Sequence, residues 1–435
     1  MPARPLAASQ IPVPQRTAWT ASLRDRFIAW SLAQCEVIAV VVICGLSAWE
    51  YWRTPPQVRD GWMDPVFLRE RHQGDAEVEL LLRPVRANAR EGHRSIRQRL
   101  LCDLKGLSLP VEVMTDNADR ASDNYMRPHR LPKGFDLSDA RDLGGGLYVL
   151  TPSALLLSLA AQLDRFSLLK IAYEACGIFT ISPRNKRVDL ILSDLEARGV
   201  ISPAQSARNA VSGYADERGV ALGNYDAVGE GAREWQPAYS TAGRLTDIWK
   251  RPPLCTVDEL RRQANDAVGC RGRKALKNAL EDVLPGAASP LEVYAALLLC
   301  ADRWTGGEAL GHPALNRRIT FDASSSALAH QSCCYADQLW DERSGVLELQ
   351  GIAYHVDGRG DRGGYGRTLA LESMGYSVAE VTYDQLSDLE KLDVLLPVLA
   401  RKFGLDLKPR TPAFLRRREA LHEALFSRPY EPGKN

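Results

Sequence analysis

The stretch Tyr335–Leu386 constrains this chain more than any other. It reads Tyr-Ala-Asp-Gln-Leu-Trp, a turn at Asp341–Gly345, Val-Leu-Glu-Leu-Gln-Gly, a glycine-rich loop, a helical pattern, then Tyr-Ser-Val-Ala-Glu-Val-Thr. The turn is short enough to join the first two apolar runs as an antiparallel hairpin. Each run carries one carboxylate at an inward-looking position, Asp337 and Glu348. Carboxylates side by side on paired strands repel unless a proton or a cation sits between them. Hard divalent cations favour such oxygen ligands. The expectation is a site for one Mg²⁺ or Mn²⁺ ion, with the Leu349 carbonyl as a candidate third oxygen.

The order is an acidic helix, an Asp strand, a Glu-x-Gln strand, a helix and a strand. Asp337, Glu348-Leu349-Gln350-Gly351, His355, Arg367 and Gly375-Tyr376 follow one another in that frame. On these residues, roughly 285–404 resembles the PD-(D/E)XK nuclease superfamily, and within it the domains related to very-short-patch-repair endonucleases. The resemblance implies an α/β domain, a restriction-endonuclease-like mixed sheet flanked by helices. It implies a metal-dependent endonuclease that hydrolyses DNA phosphodiesters, using Asp337, Glu348, Gln350 and His355. Asp337, Glu348 and Glu292 would hold the metal, and Arg367 and Arg362 the phosphate. The chain departs from the pattern at Gln350, where the superfamily has Lys and the subfamily Asp. A glutamine orients water but carries no charge to stabilise a hydroxide. The rival class is a catalytically inert regulator that binds DNA or a protein partner, such as a toxin–antitoxin component.

Each site residue also has a purely structural reading. Ser289-Pro-Leu-Glu292 is a capping box, with Ser at N-cap, Pro at N1 and Glu at N3, so Glu292 has a task without any metal. Asp337 could bond local backbone, and Glu348 could be a half-exposed strand residue. His355 titrates near neutrality, which suits a general acid or base, or it is a loop histidine bonded to backbone. Arg367 grips a phosphate or pairs with Glu348 or Asp361.

At 435 residues the chain is long enough for two or three domains. The net charge is +1, so DNA contact would rest on local basic patches. The nine cysteines include no C-x-x-C pair, which suits reduced cytoplasmic thiols rather than a disulfide framework or zinc site. Val37–Trp49 is apolar but bounded by Glu36 and Glu50, and falls short of the ~20 residues a membrane span needs. It is expected as a buried strand followed by a closing segment, and no membrane partner is expected.

The expected organisation has five parts. Residues 1–20 are a disordered leader, and 21–182 an N-terminal mixed α/β region. Residues 183–284 are a connecting helical region, 285–404 the endonuclease-like domain, and 405–435 a C-terminal extension and helix. The N-terminal region resembles actinobacterial abortive-infection antitoxin-type proteins. Within it, Tyr148–Leu150 is a strand, Thr151-Pro152 opens a helix, and a second helix stops at Gly177. Asn117–Pro132 is read as an exposed loop and 183–250 as irregular. Val257–Val283 is read as one basic helix whose Arg271, Arg273, Lys274 and Lys277 form a solvated face or a DNA patch. Arg416–Arg418, on the final helix, has the same two readings.

Overall fold

The computed structural model describes residues 40–59, 74, 96, 99–100, 104–116, 124–202, 235–240, 243–351 and 361–427, with side chains from 366 onward in the last of these. The expected leader, the helix over 21–34, His355 and the Arg362 side chain lie outside the described residues. The chain is mixed α/β. Three sheets are present among the described residues.

The first sheet has the order β3-β2-β1-β5-β4, from Val41–Ile43 (β1), Val111–Thr115 (β2), Met126–Arg130 (β3), Ala140–Asp142 (β4) and Leu147–Leu150 (β5). The Val-Val-Ile run of β1 is its wholly buried centre, antiparallel to β2 and parallel to β5. Helices Gly45–Arg53 (α1), Pro56–Arg59 (α2), Pro152–Leu159 (α3) and Arg165–Cys176 (α4) accompany it. Thr151 accepts from Ala154 N–H and Pro152 occupies N1, as the sequence implies. Gly177 does end α4, but not as a left-handed cap. Its φ is −89°. A Cβ there would lie 2.7 Å from the Ala287 carbonyl and 2.8 Å from the Tyr173 carbonyl, so glycine is required by close packing. The strand β3 replaces part of the expected loop. Its Pro128 is tolerated because β3 is an edge strand.

The second sheet, β6-β8-β7, corrects the irregular reading of 183–250. It pairs Phe179–Ile181 (β6) with Leu245–Lys250 (β8), and β8 with Gln236–Tyr239 (β7), both antiparallel. Pro237 again sits in an edge strand. A boundary at 182/183 would cut this sheet. Lys186–Ala197 (α5) packs under it, with Val188, Leu190, Ile191, Leu192 and Leu195 against Trp235 and Trp249. The expected single helix over 257–283 is two, Val257–Asp266 (α6) and Arg273–Leu280 (α7). Two left-handed glycines, Gly269 and Gly272, break it. Arg273 donates to the Ala264 carbonyl and Lys277 to Asn265 Oδ1, so both close the turn between these helices.

The third sheet has the order β12-β11-β10-β9: Ala314–Thr320 (β9), Cys333–Trp340 (β10), Gly345–Gln350 (β11) and Ser377–Thr382 (β12). β9, β10 and β11 form an antiparallel meander, and β11 pairs parallel with β12. The parallel step needs a crossover, supplied by Asp361–Ser373 (α10). Pro290–Cys300 (α8) precedes β9, and a short helix Ala323–Ala329 (α9) lies between β9 and β10. Gly366 lets α10 approach α9, since a Cβ would meet the Leu328 carbonyl at 2.6 Å. Tyr383–Ser387 (α11), Leu389–Phe403 (α12) and Pro412–Phe426 (α13) complete the chain.

Leu339, Val346 and Val378 pack with Ala370 and Leu371 of α10. Leu347 and Val381 turn to α8 and α12, whose Val293, Leu297, Leu396 and Phe403 belong to one core running back to β1. Arg418 corrects the solvated reading of 416–418. It is buried, with Nε 3.1 Å from Glu308 and Nη2 2.8 Å from Asp393. Arg417 lies over the Trp304 ring.

Candidate functional site

The hairpin forms as its spacing dictates. Trp340 faces Gly345, Leu339 faces Val346 and Gln338 faces Leu347. The ladder ends there. One step on, continued register brings Asp337 opposite Glu348, and the Leu349 N–H bonds Asp337 Oδ2 at 2.7 Å. A side-chain carboxylate thus takes a donor that regular pairing would give to backbone. The two acidic residues stand where the strands stop exchanging backbone bonds.

Glu348 is buried, and Arg367 of α10 places Nη2 3.0 Å from its Oε2. Of the alternatives open to Arg367, the ion pair with Glu348 is present. Glu348 Oε1 is buried with no hydrogen-bond partner among the described residues. Burial, then the Asp337 charge, pushes the Glu348 carboxyl up to about 8, against the pull of Arg367. Glu380, its register partner on β12, adds to the repulsion. Asp337 is raised to about 6 by burial, opposed by the Leu349 N–H, Arg367 and Lys250.

Ser289 caps α8 as expected, but the Ser289 N–H does not complete the box. The Glu292 N–H bonds Ser289 Oγ at 3.3 Å, and Ser289 Oγ donates to Glu292 Oε1 at 2.9 Å. Its Oε2 accepts from the Ala288 N–H at 2.7 Å, one residue before the N-cap. Asn316 Nδ2 donates to the same oxygen and, at 2.9 Å, to the Gly286 carbonyl. Asn316 takes φ +50° in mid-strand, a conformation asparagine tolerates better than most residues. Burial, then the charge of Asp337, raises Glu292 to about 8. The structural role of Glu292 is therefore complete, and its charge acts on the Asp337 side of the sheet.

Gln350 points elsewhere. Its Nε2 donates to Glu380 Oε2 at 2.8 Å, while Thr368 Oγ1 holds the other oxygen of Glu380 at 3.2 Å. His355 and the Arg362 side chain are outside the described residues, so the site is built from Asp337, Glu348, Glu292, Gln350 and Arg367. Sequence reasoning missed Asn316, Glu380 and Lys250. Asn316 and Glu380 join the site only through tertiary pairing, and Lys250 lies on a strand that had been read as irregular.

The donors suit a hard cation in kind: two carboxylates and, on Glu348, a buried oxygen with no other partner among the described residues. Among the described residues no group of three or more His, Cys, Asp or Glu side chains is arranged to hold a metal ion. A separate cleft of about 680 Å³, lined by Arg165, Asp302, Trp304, His312 and Lys408 among others, shares no residue with the carboxylate pair. No helix among the described residues is long and apolar enough to cross a membrane. No family model, curated protein or solved structure matches this chain.

Proposed function

We propose that residues 285–404 form a PD-(D/E)XK-type domain in which Asp337 and Glu348 hold one Mg²⁺ or Mn²⁺ ion for slow hydrolysis of DNA phosphodiesters. One observation carries the reading: a buried carboxylate, Glu348, and a partly buried one, Asp337, repel each other where β10 and β11 cease to pair, and among the described residues Glu348 Oε1 has no protein donor. The order α8-β9-β10-β11-α10-β12, with the parallel return strand, supports the same assignment.

A bound divalent ion supplies an acidified water and polarises a phosphate oxygen. The chain supplies the rest. The Leu349 N–H fixes the rotamer of Asp337. Arg367 holds Glu348 by one oxygen, and the other has no partner among the described residues. The Gln350 amide nitrogen is held by Glu380.

Two observations favour the inert-regulator reading. Arg367 already neutralises part of Glu348, and position 350 carries no cation. Calorimetric titration with Mn²⁺ and Mg²⁺, beside plasmid nicking, separates the two. The expected outcome is binding of one ion and weak Mn²⁺-supported nicking, both lost in Glu348→Gln with the fold retained. Wild-type protein that takes up no divalent ion leaves the inert regulator as the function.

A further inference from the structure

Hydrolysis of a phosphodiester builds negative charge on the phosphate oxygens. A fixed cation aimed at that charge lowers the barrier because its orientation is settled before the reaction begins. In the sequence motif the place for such a cation is position 350, and Gln350 there is neutral and bound to Glu380. Arg367 on α10 has its guanidinium committed to Glu348.

A further cation comes from another part of the chain. In an antiparallel pair, directly opposed residues stand on the same face of the sheet. Lys250 ends β8 opposite Phe179 of β6, and Ile248 stands opposite Ile181. Phe179 and Ile181 pack into the main core with Ala287, Val293 and Leu315, and Ile248 packs against it. Trp249, between them, faces the other way into the cluster of Leu190 and Trp235. Lys250 is therefore on the face turned towards the third sheet.

The two sheets are joined at this point. The Ile178 N–H, next to β6, donates to the Ala287 carbonyl at 2.7 Å, and the Gly286 N–H donates to the Cys176 carbonyl at 3.1 Å. The next residue, Ala288, donates to Glu292. Asn316 links Gly286 to the same carboxylate. The side chain of Lys250 is exposed at the end of this bridge. Among the described residues its ammonium has no hydrogen bond or ion pair.

We propose that Lys250 is the phosphate-binding cation of this site, delivered by strand β8 from outside the motif to take the place that Gln350 leaves empty. It holds a non-bridging phosphate oxygen as a point charge and transfers no proton. The proposal rests on the nuclease reading for its catalytic part. Its binding part stands on the place of Lys250 at the end of the bridge that runs through Ala287 and Gly286 to Glu292 and Asn316, the β9 residue that falls opposite Asp337 in the register.

The test uses the full chain, with Lys250→Met and Lys250→Arg beside wild type. In single-turnover nicking with Mn²⁺, Lys250→Met should lower the rate constant about 100-fold, the loss typical of one transition-state donor. Lys250→Arg should recover part of it, and Mn²⁺ affinity by calorimetry should be unchanged in both. A second measurement needs no turnover. Anisotropy of a short fluorescent DNA duplex, titrated with salt in the presence of Ca²⁺, should show weaker binding by Lys250→Met. The slope of log K against log salt should fall by about one. Loss of metal binding in wild type would overturn the nuclease reading but leave the DNA-binding result to decide the fate of Lys250. Lys250→Met with wild-type nicking, or with wild-type affinity and salt slope where nicking is absent, overturns the proposal.

Discussion

Two clusters of buried charge in this molecule are built on opposite balances. Around Glu308 the guanidinia outnumber the carboxylates. Arg410 and Arg418 lie 2.7 and 3.1 Å from Glu308 Oε1, Arg303 lies 3.9 Å from Oε2, and Arg410 and Arg418 also reach Asp393. Around Glu348 the carboxylates of the described residues are in excess. Asp337, partly buried, repels both Glu348 and the buried Glu292, Glu380 is the neighbour of Glu348 on β12, and among the described residues one guanidinium, Arg367, pairs with Glu348. The first cluster ties α13 and the segment before it to the loop after α8 and to α12, and its charges are compensated by protein alone. The second is left short of positive charge. A deficit that the fold leaves unfilled is what a cation or a polyanion-binding lysine can exploit, so the difference separates a clamp from a site.

The largest effect should come from breaking the clamp. Glu308 and Arg418 are both almost fully buried. Glu308→Ala leaves Arg418 without its main partner, and stranding one half of a buried pair costs about 3–5 kcal/mol. Urea unfolding should show that loss, while Mn²⁺ affinity stays at the wild-type value. A loss below about 1 kcal/mol would place Glu308 with ordinary surface pairs and erase the contrast.

The second effect is on pH. Glu348 and Glu292 are held up to about 8 and Asp337 to about 6, above ordinary values of 4.5 and 3.8. Between those limits the native state holds protons that the unfolded chain has released. Stability then falls as pH rises. The contribution is complete below the ordinary carboxylate range and lost as pH passes about 8. Unfolding midpoints measured across this window should decline. Glu348→Gln should flatten the decline, and Mn²⁺ should offset it by binding the native carboxylates. A midpoint that rises throughout the window would show that the three carboxylates are compensated in the native state.

Local chemistry made half of this legible in sequence. The Asp341–Gly345 turn, the Ser289 and Thr151 caps and the two apolar runs of the hairpin are decided within a few residues, and each formed where the pattern put it. What stayed hidden depends on distant partners. The edge strands β3 and β7 carry Pro128 and Pro237, which read as loop until a neighbouring strand supplies the other hydrogen-bonding edge. Arg418 looked like part of a solvated basic run because its partners, Glu308 and Asp393, lie far away in sequence. Lys250 had no local signal at all. Its meaning depends on β6 pairing with β8 and on the Ile178–Ala287 bridge.

The smallest effect concerns position 350, and it sharpens the comparison most finely. Restoring the motif with Gln350→Lys puts a cation into the deficient cluster by the obvious route. Its surroundings direct it elsewhere. Gln350 already reaches Glu380 at 2.8 Å, and a lysine of similar reach would pair with the same carboxylate at an exposed position. Such pairs contribute about 0–1 kcal/mol, enough to hold the ammonium away from Asp337 and Glu348 for much of the time. Gln350→Lys alone should therefore raise Mn²⁺-supported nicking by no more than a few-fold. Glu380→Gln alone removes one neighbouring charge from Glu348 and should change nicking little. Together they free the ammonium, so the double variant should exceed the product of the single effects, a positive coupling in a double-mutant cycle. If Gln350→Lys alone matches the double variant, Glu380 does not restrain position 350. The deficit at Glu348 would then be one that a single motif residue can fill.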